Sequence, residues 1–311
     1  MYNKKDLVGL KDLSKAELEH FLDLAVDMKK AVLDESFRCE DYSKYSAMTL
    51  FYEDSTRTKM SFLLACEYLG VKVVDLNVGS SSKNKGESLL DTALNVDVMG
   101  TNLVIMRHST TGAPHFLGNN MKASVISGGD GANEHPTQAL LDIFTMKEKF
   151  GKIEGLKVVI VGDVKHSRVA RSNAYALLTL GANVTFVGPT TYVPDNLKEL
   201  GVTISHNLKE SVINADVIMA LRVQHERHKI SEIPSVSEYA KFFRVSDEIV
   251  ALAKDNCLVM HPGPINRNVE ITNSCADGEK SVILEQVTNG VAIRMSIIKT
   301  LLDTIEERRN G

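Results

Sequence analysis

The sequence predicts an α/β protein built from two doubly wound parallel-sheet domains. Three observations lead there. Short, continuous apolar runs such as 156–161 and 215–221 read as strands buried on both faces, with helical patterns between them. The alternation is interrupted at Gly151-Lys152-Ile153-Glu154-Gly155 and then starts afresh, which divides the chain into residues 1–150 and 151–285. The polar residues that stand out lie where strands end, and that is where open parallel sheets bind ligands. At 311 residues the chain exceeds one small core and suits two domains of ordinary size.

Composition narrows the function. With 36 basic and 40 acidic side chains the balance is mildly acidic, so nothing in the total favours a nucleic-acid partner. No apolar run is long enough for a membrane span, and the N-terminus lacks a signal-peptide pattern. Cys39, Cys66, Cys257 and Cys275 are scattered without a C-x-x-C pair, as expected of reduced thiols in a cytoplasmic protein.

Along the chain, Ser14-Lys15-Ala16-Glu17 is a capping box, and Leu18, Phe21, Leu22, Ala25, Met28 and Val32 mark one face of the helix it opens. A strand over 46–51 leads into Ser55-Thr56-Arg57-Thr58. From Phe62 to Leu69 the helical spacing continues until Gly70 stops it. A single hydroxyl at such a corner is ordinarily just a cap. Three hydroxyls and a guanidinium together, on the free N–H groups of a first helical turn, form an oxyanion cradle instead.

A second strand, 71–76, precedes Gly79-Ser80-Ser81-Ser82-Lys83-Asn84-Lys85-Gly86, a loop whose composition also suits a plain solvated linker. After a helix over 87–99, the strand 103–106 delivers Arg107 and His108 at its carboxyl end. The strand 123–126 is followed by Gly128-Gly129-Asp130-Gly131, read as a tight turn. His135-Pro136-Thr137-Gln138 then begins a helix to about 150, with Pro136 at the first helical position. Three strand ends thus carry complementary groups, which argues for one shared pocket.

The second half opens as a βαβ unit, but Gly162-Asp163-Val164-Lys165-His166-Ser167-Arg168 lacks the G-x-G-x-x-G fingerprint, which counts against a nicotinamide-dependent dehydrogenase. Arg168 at the helix start suits a carboxylate. The strand 215–221 ends in Arg222-Val223-Gln224, whose alternate residues face one way. His225-Glu226-Arg227-His228 has two residues between its histidines where H-E-x-x-H has three, so no metal site is expected. A strand over 258–260 ends in the rigid turn His261-Pro262-Gly263-Pro264, which has room for a cis peptide. A long helix, 285–309, closes the chain.

Taken together, Ser55-Thr56-Arg57-Thr58, Met106-Arg107-His108, His135-Pro136-Thr137-Gln138, Arg222-Val223-Gln224 and His261-Pro262-Gly263-Pro264 resemble, in order and spacing, the aspartate/ornithine carbamoyltransferase family. The Ser-Met-Gly and His-Cys-Leu-Pro elements of the ornithine branch are missing, so the resemblance is to the aspartate branch. It implies transfer of a carbamoyl group from carbamoyl phosphate to L-aspartate, a step of pyrimidine biosynthesis, with no cofactor. By the same resemblance, residues 1–150 bind carbamoyl phosphate and are completed by a helix over 286–311 that packs back on them; residues 151–285 bind aspartate.

The roles implied follow the motifs. Ser55, Thr56, Arg57, Thr58 and Arg107 hold the phosphate. His135 and Gln138 address the carbamoyl group, helped by the carbonyls at Pro262 and Gly263, where some relatives carry leucine in place of Gly263. Arg168, Arg222 and Gln224 hold aspartate. Ser81 and Lys85 enter from a neighbouring subunit, Lys85 touching aspartate as well, which implies a homotrimer and leaves room for a regulatory or pathway-enzyme partner. Arg57, Thr58, Arg107 and His135 are the expected catalytic donors. No Cys, Ser or Lys is paired with an evident base, so no covalent intermediate is needed.

Overall fold

The computed structural model describes residues 2–34, 39, 41–76, 87–223 and 235–310. The chain divides into two compact units, Met1–Leu141 with Val287–Gly311, and Asp142–Gln286.

The first unit contains the helix Lys15–Leu33 (α1), the strand Ser46–Phe51 (β1), the helix Thr56–Tyr68 (α2) and the strand Lys72–Leu76 (β2). Leu89–Val98 (α3), Leu103–His108 (β3), Ala113–Asn120 (α4) and Ser124–Asp130 (β4) follow, and then Pro136–Phe150 (α5), within which the division falls. Its sheet is parallel, in the order β2-β1-β3-β4. Every residue of β4 is buried, while the edge strand β2 leaves Lys72 and Asp75 exposed, charges that discourage pairing with another edge. The capping box on α1 forms as expected.

Two elements of this unit differ from the reading of the sequence. The glycines at 128 and 129 do not turn the chain; β4 runs through them to Asp130, because β3 continues alongside with a register shift between Met106 and His108. A Cβ at 128 would meet its neighbours at ordinary van der Waals contact, 3.4 Å from the Met106 carbonyl oxygen and 3.6 Å from Thr58 Cγ2. The helix α4 was not anticipated.

The second unit contains Lys157–Val161 (β5), Arg168–Thr179 (α6), Asn183–Val187 (β6), Thr203–Ser205 (β7), Leu208–Val212 (α7) and Val217–Ala220 (β8). It continues with Val236–Phe243 (α8), Asp247–Val250 (α9), Leu258–Met260 (β9) and Asn273–Asp277 (α10). Its parallel sheet has the order β7-β6-β5-β8-β9. Val159, Val161, Ile218, Ala220 and Val259 pack with the neighbouring helices into one core.

The last helix, Ile283–Asn310 (α11), packs on the first unit as expected. Met295, Ile297, Ile298, Leu301 and Leu302 are fully buried. Polar contacts fasten its outer turns to the chain entering β1: Tyr42 Oη donates to Asp303 (2.7 Å), Tyr45 Oη to Glu306 (2.9 Å) and Lys44 Nζ to Glu306 (2.7 Å).

Candidate active site

In the first unit the candidate site is built on the carboxyl ends of β1, β3 and β4, which lie side by side. At the end of β1 the chain turns into α2. Ser55 stands in the cap position with extended backbone, yet its side chain makes no capping hydrogen bond, so the hydroxyl is not consumed by the helix. No acidic residue occupies the first turn, and the helix dipole there favours an anion. Thr58 is buried and its carbonyl accepts from the Ser61 hydroxyl (3.0 Å); Arg57 is exposed. Partial burial draws the Arg57 pKa down from the usual arginine value. Lys59 points elsewhere and pairs with Asp75 at 2.6 Å.

Arg107 lies opposite Phe51 in the β1–β3 register, and its carbonyl accepts from the Tyr52 amide (2.9 Å). Its guanidinium is held from two sides, Nη2 by Glu53 at 2.8 Å and Nη1 by the Gly128 carbonyl at 3.4 Å. One strand further, Asp130 is fully buried and accepts from the Gly112 amide (2.7 Å) and Asn133 Nδ2 (2.9 Å). Its own amide donates to the Glu134 carbonyl (2.9 Å). The Glu134 carboxylate accepts from the Leu10 amide (2.8 Å), which pins the approach to α5.

His135 therefore stands at the start of α5 with 4% of its surface exposed, and Gln138 one turn inside with 9%. Beneath them the buried Arg294 of α11 donates to the Thr137 hydroxyl (3.3 Å) and lies over the Phe62 ring of α2 (5.0 Å). Thr137 in the first turn of α5 and Phe62 in the second turn of α2 share this one guanidinium as a support.

In the second unit, the ends of β5, β8 and β9 carry the other expected residues. Arg168 is the first residue of α6, behind Ser167, whose hydroxyl accepts from the Ala170 amide (3.2 Å). On the same loop, the buried Asp163 lies 2.9 Å from His166 Nδ1. Arg222 is half-buried just past β8, next to Leu221, whose amide donates to the Val161 carbonyl at the end of β5 (2.8 Å). After β9, Gly263 has φ 68° and the Gly263–Pro264 peptide is cis. Asn266 Nδ2 donates to the Val223 carbonyl (3.1 Å), tying this turn to the end of β8. Ser81, Lys85 and Gln224 lie outside the described residues, as does His225-Glu226-Arg227-His228.

Not anticipated from the sequence are the residues that hold these groups: Glu53, Glu134, Asp163, and Glu270, which lies 3.2 Å from His261 Nε2. Glu53 adjoins the cradle and was readable as its neighbour. Glu270 lies nine residues beyond His261 with no local pattern to announce it.

Two of the four thiols are poor nucleophiles. Burial pushes the Cys66 and Cys257 thiols up to about 12, so both stay protonated and inert. Among the described residues no group of three or more His, Cys, Asp or Glu could hold a metal ion, and no helix is long and apolar enough to cross a membrane. What the arrangement can do is hold an anion at the first unit's strand ends and present arginines at the second's.

Comparison with known proteins gives these features relatives. Residues 5–148 match the family model described as aspartate/ornithine carbamoyltransferase, carbamoyl-P binding domain, and residues 154–301 match its Asp/Orn binding domain. An aspartate carbamoyltransferase catalytic subunit of Ruminiclostridium cellulolyticum is 49% identical over 297 residues, covering 96% of this chain and 95% of its own. Aspartate transcarbamoylase from Trypanosoma cruzi, solved with carbamoyl aspartate and phosphate, is similar with a TM-score of 0.85 at 30% identity, over 94% of this chain and 95% of that one. Ornithine carbamoyltransferase from Thermus thermophilus has the same TM-score, 0.85, at 26% identity, over 96% and 99%.

Proposed function

The chain belongs to the aspartate/ornithine carbamoyltransferase family, and from that membership we infer its reaction. It is an enzyme that transfers the carbamoyl group of carbamoyl phosphate to the amine of L-aspartate, releasing N-carbamoyl-L-aspartate and phosphate. The observation that carries the choice of acceptor is the 49% identity to an aspartate catalytic subunit over nearly the whole chain. Fold alone does not make that choice, since the aspartate and ornithine structures match equally well.

The residues take the following parts. Ser55, Thr56, Arg57 and Thr58 bind the phosphate on the amino end of α2, and Arg107 joins them from β3. His135 and Gln138 address the carbamoyl oxygen and amide, with the carbonyls at Pro262 and Gly263 accepting from the amide nitrogen. In the second unit Arg168 and Arg222 bind the two carboxylates of aspartate, with Gln224 beside them. Two arginines at neighbouring strand ends suit a dicarboxylic acceptor and disfavour ornithine, whose side chain is cationic.

During attack by the amine, negative charge grows first on the carbamoyl oxygen and then on the departing phosphate. Donors fixed in advance stabilise that charge more than the ground state. Arg107, His135 and Thr58 act at the oxygen, Arg57 and Lys85 at the phosphate. The Glu53 and Gly128 contacts keep Arg107 from having to reorient as the charge appears. Ser81 and Lys85 reach the site from a neighbouring chain in a homotrimer; the relatives' designation as catalytic subunits supports an oligomer. The setting is cytoplasmic, supported by cysteine spacing without a disulfide framework.

The test is an acceptor panel. The purified chain is incubated with carbamoyl phosphate and either L-aspartate or L-ornithine, and products are identified by mass. N-carbamoyl-L-aspartate is expected; citrulline, or no product, would overturn the assignment.

A further inference from the structure

His261 is fully enclosed at the end of β9, and both ring nitrogens are engaged. The Gly263 amide donates to Nδ1 at 2.8 Å, so Nδ1 carries no proton. The proton of the neutral ring is then on Nε2, which donates to Glu270 Oε1 at 3.2 Å. The same carboxylate oxygen accepts from the Asn266 amide (2.5 Å), and Glu270 is itself 1% exposed. One histidine thereby closes the turn on itself and fastens it to the chain that follows.

The backbone of His261 is anchored as firmly. Its amide donates to Gln286 Oε1 (3.0 Å), Gln286 Nε2 donates to Asp142 Oδ1 (2.7 Å), and Asn173 Nδ2 donates to Asp142 Oδ2 (2.8 Å). All of these side chains are buried. A plain packing role would be met by an apolar ring of the same size. The specific feature is an acceptor aimed at the Gly263 amide, at a residue whose φ of 68° only a glycine adopts readily.

We propose that His261 is a positioning residue for carbamoyl transfer: held as the Nε2–H form by Glu270, it fixes the Gly263 amide and so aims the carbonyls of Pro262 and Gly263. The inference rests on the reading above that those carbonyls address the carbamoyl group. Misaiming them disturbs the reacting group and leaves the phosphate cradle of the first unit untouched. The loss therefore falls on kcat rather than on KM for carbamoyl phosphate.

The experiment compares His261→Phe and His261→Asn with the wild type in steady-state kinetics, with thermal melts to confirm folding. Phe fills the ring's space without either nitrogen; the Asn amide oxygen can stand where Nδ1 stood. His261→Phe is expected to lose about 10-fold or more in kcat, within what a misplacement of about 1 Å costs, with KM for carbamoyl phosphate within about 3-fold. His261→Asn should recover most of that loss. Either a His261→Phe kcat within about 2-fold of wild type, or a folded His261→Asn as slow as His261→Phe, would overturn the proposal. Should His261→Phe not fold, Glu270→Gln, which keeps an acceptor for Nε2–H, must turn over faster than Glu270→Ala, and equal rates would overturn it. A wild type that makes no product removes the functional reading and this inference with it, whereas an active wild type beside a fast His261→Phe removes only the latter.

Discussion

Arg57 and Arg107 stand a strand apart and are held very differently. Arg107 is bracketed by Glu53 and Gly128, while Arg57 is exposed on the first turn of α2. A guanidinium in that position can meet phosphate oxygens in pairs, which a lysine cannot. Arg57→Ala is expected to lower kcat on the order of 10²-fold or more, the scale of losing one transition-state donor. Steady-state assay decides it, and near-normal turnover would take Arg57 out of the mechanism. At this scale much of the candidate site was legible in the sequence, because hydroxyls and arginines clustered at strand ends have few other uses. The partners were not. Glu53 reaches Arg107 and Glu270 reaches His261 across separations that no spacing rule links, whereas Asp163 and His166 lie only three residues apart.

Elements show the same division between local and tertiary causes. The α2 corner was readable because hydroxyl, guanidinium and helical spacing are all local. β4 was cut short because Gly128 and Gly129 suggested a turn, whereas the partner strand kept them extended. The unforeseen α4, Ala-Pro-His-Phe-Leu-Gly-Asn-Asn, sets only Ala113 and Leu117 against six weaker helix formers and starts from Gly112 in the left-handed region, so packing more than propensity makes it.

Gly131 is the counterpart at the other end of the site. It has φ 49°, and a Cβ there would meet Thr111 Oγ1 at 2.5 Å and the Ser109 carbonyl at 2.9 Å. Gly131→Ala should cost about 1–3 kcal/mol of stability, read from denaturant melts. The tie between α2 and β2 makes a pH prediction. Burial raises the Asp75 carboxyl, but hydrogen bonds from Lys59 and Thr49 outweigh it and hold the group below its ordinary 3.8. A depressed folded pKa contributes stability above the unfolded value that is lost as pH falls through the folded one. Asp75→Asn should melt lower than wild type at neutral pH, with the gap closing below about pH 4. A constant gap would assign the effect to packing.

For the whole molecule, the fold class was the most legible feature, since alternating buried runs and a glycine-flanked restart are written along the chain. Assembly is not written there in the same way. If Lys85 serves a neighbouring chain, mixing inactive Lys85→Ala with inactive Arg57→Ala subunits under exchange conditions should restore part of the activity; no recovery would leave Lys85 acting on its own chain. In the proposed division of labour, the first unit's strand ends take carbamoyl phosphate while the second unit's arginines take the acceptor. Calorimetric titration of carbamoyl phosphate tests it most directly. Arg107→Ala should bind about 10- to 100-fold more weakly, the loss of a hydrogen bond to a charged group, and Arg222→Ala should match the wild type. Weak binding by Arg222→Ala beside normal binding by Arg107→Ala would contradict it.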